Sequence, residues 1–146
     1  MMALLLLSAG LVLSPELTIP PDSVQELKAL RWEKRPLLIF APEAGHPEYL
    51  RLLKNLEASA PALRERDVVL RHHFPGSRHP KLRQHFRVAP DQFCAILLGR
   101  DGFEKNRWNQ AFSLQELTAR IDAMPMGREE AAERVRTQKP PHTVQH

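Results

Sequence analysis

A chain of 146 residues with 21 Lys and Arg against 17 Asp and Glu is the size of one domain, which excludes several independent cores. Its 26% charged and 42% hydrophobic residues are globular proportions, and a formal charge of +4 is too mild to predict a specific nucleic-acid partner. A single cysteine excludes an internal disulfide, a Cys-x-x-Cys redox centre and a four-cysteine zinc site.

Ala3 to Leu13 read ALLLLSAGLVL. Crossing a bilayer takes about 20 apolar residues, so the run does not predict an integral membrane protein. It suits the core of a secretory signal, although its first basic residue is Lys28 and no Ala-x-Ala cleavage box follows. Residues 1–22 are therefore expected to be a signal peptide and short leader, residues 23–127 the folded domain, and residues 128–146 a charged, flexible tail. The expected location is periplasmic or secreted.

Ser23 to Glu26 offer a capping box for a short helix carrying Val24, Leu27 and Leu30. Pro36 to Ala41 is a continuous apolar run ended by Pro42, the pattern of a strand buried on both faces. Gly45-His46-Pro47 opens a helix with the stripe Tyr49, Leu52, Leu53, Leu56, Ala60 and Leu63, which Pro61 should break or kink. Asp67 to Phe74 reads as a second strand stopped by Pro75-Gly76, and His79 to Val88 as a helix through Leu82 and Phe86. Phe93 to Leu98 is the third strand. Asp101-Gly102 signals a hairpin, because glycine takes the positive φ of such turns, so Phe103 to Trp108 should return antiparallel. Ser113 and Glu116 box the last helix, whose apolar face is Leu114, Leu117, Ile121 and Met124, with Pro125 as its end.

The order is β-α-β-α-β-β-α. Strands joined through a long helix run parallel with a right-handed crossover. A mixed sheet of a parallel pair and a terminal hairpin, covered by helices on both faces, is a thioredoxin-like three-layer α/β/α sandwich.

Several strings resemble a bacterial family of small exported proteins, domain of unknown function 4174, also called P-DUDES. They are Leu30 to Pro42 (LRWEKRPLLIFAP), Arg66 to Leu70 (RDVVL), Leu97 to Gly102 (LLGRDG) and Ile121 to Met126 (IDAMPM). The match covers residues 26–130, departing at Gly127, where members more often continue with a basic residue. The resemblance implies a thioredoxin-like fold and kinship with domains of vertebrate extracellular matrix proteins. It brings no activity, substrate or catalytic residue.

Thiol exchange on this fold needs a cysteine where the first strand meets the first long helix, so that the helix dipole stabilises thiolate. Here that place reads Ala41-Pro42-Glu43-Ala44-Gly45-His46. Cys94 sits inside an apolar strand, where burial should raise its pKa. Glu43, His46 and Glu48 are expected to serve the helix start. Arg71, Arg78, Lys81, Arg83 and Arg87, with His72, His73, His79 and His85, form a basic stretch without an acid, a candidate site for a polyanion. A metal is not expected there, since His72 and His73 face opposite sides of a strand and His79 and His85 share no helical face. No cofactor is expected. The predicted role is a non-enzymatic binding or structural module, its partner an envelope or extracellular protein or an anionic surface. The alternatives are a redox or oxidative-stress protein acting through Cys94, and polyanion or metal binding through residues 71–87.

Overall fold

In a computed structural model describing residues 24–76 and 81–138, the chain runs α1 (Val24–Ala29), β1 (Arg35–Phe40), α2 (Pro47–Glu57), α3 (Ala60–Glu65), β2 (Val68–His73), α4 (Lys81–Phe86), β3 (Cys94–Leu98), β4 (Glu104–Trp108), α5 (Leu114–Asp122) and α6 (Pro125–Gln138). The expected signal segment and Arg78 lie outside the described residues. The strands form one sheet of order β2-β1-β3-β4. β1 pairs parallel with β2, from Arg35↔Val68 to Phe40↔His73, and β3 is antiparallel to both β1 and β4. The predicted mixed sheet is therefore present.

The apolar runs are continuous because β1 and β3 are covered on both sides. Leu37, Ile39, Ala95 and Leu97 enter one core with Tyr49, Leu52 and Leu56 of α2, Leu63 of α3, and Leu117 and Ile121 of α5. The alternate residues Leu38, Phe40, Cys94, Ile96 and Leu98 enter a second core with Leu27 of α1, Leu82 of α4 and Val88. Side chains two apart share a face of a strand, so each strand supplies both cores. Pro61 ends the long helix as expected, standing in the first turn of α3. The hairpin closes with Gly102 at φ +84°, its N–H donating to Gly99 O, and the Asp101 carboxylate accepts from Phe103 N. Ser113 Oγ accepts from Glu116 N at 3.1 Å and caps α5.

The segment from Arg128, expected as a flexible tail, is helical as far as Gln138. Its apolar content is slight, and polar contacts hold it. Arg35, 1% exposed at the head of β1, donates to both carboxylate oxygens of Glu130 at 2.9 and 3.3 Å. Arg100 donates to the same carboxylate at 2.9 Å and to Asp67 at 2.8 Å. Asp122 of α5 takes Arg66 and Arg134. Gly127 lets α6 approach α5, because a Cβ there would lie 1.8 Å from the carbonyl oxygen of Ile121. Met124 packs against the first core as expected, whereas Met126 is exposed.

Candidate functional site

Parallel strands of an open α/β sheet present their carboxyl ends to a crevice where ligands characteristically bind. Here that end comprises the loop Ala41 to His46, the turn after β2, and the loop from α4 into β3. The first loop carries no sulfur. His46 stands at the N-cap of α2 without a side-chain cap bond, its ring stacked on Phe93 at 5.9 Å and 3°. Glu48 accepts from Ala111 N at 2.6 Å and from Arg51. The bond from Ala111 does most to hold its carboxyl below the usual range; slight burial opposes it, and Arg51 and His46 add to it. Glu48 stands in the first turn of α2, where an acid is favourable, and ties it to the loop before α5, whereas the His46 ring packs on Phe93 and does not cap the helix. Pro90 has no cis peptide bond.

Cys94 is fully buried on the opposite side of the sheet from α2, among Phe40, Leu82 and Val88. Burial pushes its thiol up and the neighbouring Arg107 only partly offsets this, so the nucleophilic thiolate is suppressed.

The basic stretch separates in three dimensions. Arg71 pairs with Glu26 at 2.7 Å. Arg83, 9% exposed, turns inward: it donates to the carbonyls of Ala41 at 2.8 Å, Ala89 at 2.9 Å and His73 at 3.2 Å, and its guanidinium lies 5.5 Å from the Phe40 ring centre. It ties the ends of β1 and β2 to the loop entering β3, a role that spacing along the chain did not indicate. Burial lowers its pKa. Lys81 and Arg87 remain exposed, and Arg78 is outside the described residues. His72 and His73 do face opposite ways. The His73 ring stacks on Phe40 at 4.9 Å, while His72 Nδ1 shares a 3.0 Å hydrogen bond with the Tyr49 hydroxyl. Burial, and then Arg71, lowers the pKa of His72. Among the described residues no cluster of three His, Cys, Asp or Glu side chains is placed to hold a metal ion.

Arg83 forms part of a crevice of about 520 Å³ walled by Phe74, Pro75, Gly76, Gln84, Arg87, Val88, Ala89 and Pro90. Among the described residues its only charges are the two arginines. A smaller cleft of about 220 Å³ at the amino end of β1 is lined by Trp32 and Met126 with Arg100 and Lys105. There Arg35, Arg100 and Lys105 are all paired, the first two with Glu130, Arg100 also with Asp67, and Lys105 with Asp101. Of these two clefts, the one at the carboxyl end is therefore the one whose cations have no carboxylate partner among the described residues.

A family model described as Domain of unknown function (DUF4174) matches residues 26–130. Among solved structures, the chain resembles a reduced 2-Cys peroxiredoxin of Plasmodium vivax with a TM-score of 0.51 at 14% identity, over 77% of this chain and 85% of that one. With the strand order above, the likeness shows a thioredoxin-like fold. No curated protein matches the chain.

Proposed function

The chain belongs to the DUF4174 family of domains of unknown function, and we propose that it is an exported, non-enzymatic binding module on a thioredoxin-like scaffold. One observation carries this reading: the junction of β1 and α2 has no cysteine, and the one sulfur able to form a thiolate is sealed on the far side of the sheet. A fold does not confer an activity, and without a sulfur at that junction the scaffold is left with binding as the role its site chemistry supports. The apolar run Ala3 to Leu13 supports passage to the periplasm or the exterior.

Thiol titration of the folded protein, with assays of disulfide reduction and peroxide turnover, tests the reading. The expected result is a thiol that reacts only after denaturation, and no turnover. Turnover lost in Cys94→Ser would instead identify a redox or oxidative-stress protein. The N-terminal mass of protein recovered from the cell envelope tests export: a mature chain starting after Leu13 supports it, and an intact start in the cytoplasmic fraction refutes it.

A further inference from the structure

We propose that the crevice between the end of β2 and the loop into β3 binds a small monoanionic carboxylate with an apolar, aromatic-sized body. This deepens the binding-module reading and rests on it. Arg83 is nine-tenths buried, yet among the described residues every hydrogen-bond partner of its guanidinium is a neutral carbonyl oxygen, the Phe40 ring is its one further contact, and no carboxylate pairs with it. Its Nε–H is buried without a partner. A buried cation is ordinarily matched by an anion, since neutral dipoles only partly replace its hydration.

A second observation is independent of the first. Arg87, just past the end of α4, takes φ +56°, a backbone region that glycine enters without a Cβ clash. Trp32 and Asp67 take the same conformation between α1 and β1 and between α3 and β2, so it belongs to the way this fold ends its short helices; at Arg87 it places a second cation on the wall of the same crevice. Phe74, Val88 and Pro90 supply apolar wall, and among the described residues Gln84 is the one neutral polar side chain. Two cations and no acid among the described residues, with apolar walls, favour an organic anion over a bare inorganic one, which would leave the apolar wall facing water. The volume suits a ligand of modest size. A long polyanion fits poorly, because Arg71 is already engaged by Glu26 and Arg83 is withdrawn from the surface.

Phenylacetate titrated into the full chain, followed by amide NMR shifts of Gly76, Gln84 and Val88, tests the proposal. Saturable binding with a Kd on the order of 1 mM or tighter is expected. The neutral isostere phenylacetamide should bind about tenfold more weakly, having lost the charge-assisted hydrogen bond. Inorganic phosphate and acetate should also be weaker. Replacing Arg83 risks the fold, so Arg87→Gly is the informative variant: its thermal midpoint should hold or rise as strain is relieved, while phenylacetate affinity falls about tenfold. Equal binding of the acid and its amide, phosphate binding as well as phenylacetate, or undiminished affinity in Arg87→Gly would overturn the proposal. The turnover and export experiments judge the binding-module reading separately, so failure of one is not failure of the other.

Discussion

Replacing Glu130 by Gln tests whether α6 is fastened by charge. The substitution keeps the side-chain shape and one acceptor oxygen but takes the counter-ion from Arg35, whose own exposure is 1%. Removing one member of a fully buried ion pair costs about 3–5 kcal/mol, because the other charge is left desolvated. Glu130 is 28% exposed, so water already screens part of the pair. Arg35 also keeps its bond to Arg66 O, and Arg100 keeps Asp67. The loss should therefore be about 2 kcal/mol, or about 8 °C in thermal midpoint for a domain of this size. Circular dichroism melting measures it, and hydrogen exchange should show α6 opening before the sheet. Replacing both partners, Arg35→Met with Glu130→Leu, should recover much of the loss, because no bare charge remains buried. A Glu130→Gln midpoint within about 1 °C of the parent would refute the reasoning. Acid should act as the substitution does. Burial works against ionisation of Glu130, but hydrogen bonds from Arg35 and Arg100 prevail and hold its carboxyl below the ordinary range. Its contribution is thus complete above about pH 4.3 and is lost as pH falls through the lowered value, so the variant should lose less stability there.

Gly127→Ala should destabilise by about 1–3 kcal/mol in chemical denaturation, since the new Cβ meets backbone rather than a movable side chain. Helix propensity alone favours alanine by about 1 kcal/mol, so a stabilised variant would refute the close approach. Ser113→Ala should cost about 1 kcal/mol through loss of the α5 cap, measurable by urea unfolding. The depressed pKa of His72 means that the unfolded chain binds its proton first. Because His72 is exposed and water screens the effect, stability should decline only slightly as pH drops below about 6.5, and His72→Gln should flatten that slope.

Most elements lie in the right places in a reading of the sequence, because their causes are local. Runs such as Pro36 to Ala41 and Phe93 to Leu98, too short for a helix and flanked by proline or polar turn residues, read as strands covered on both faces, and Gly102 and Ser113 mark their turn and cap by backbone chemistry. The absence of sulfur at Ala41 to His46 is likewise a property of the text alone. Misread were the residues whose state depends on distant partners. Arg128 to Gln138 looks like a solvated charge run until Arg35 and Arg100, far away in the chain, meet Glu130 and hold it as a helix. Arg35, beside Pro36, carried one weak signal, a cation directly preceding a buried strand. Arg83 looks like one surface charge among five, and only the convergence of Ala41, His73 and Ala89 makes it a buried clamp. The sequence alone determined the strand-and-helix order from β1 to α5, through local periodicity and backbone preference, and the lack of a thiol centre. Tertiary structure alone decided which charges are neutralised, which are buried and where one is left over, because ion pairing and desolvation depend on distances that neighbours along the chain do not set.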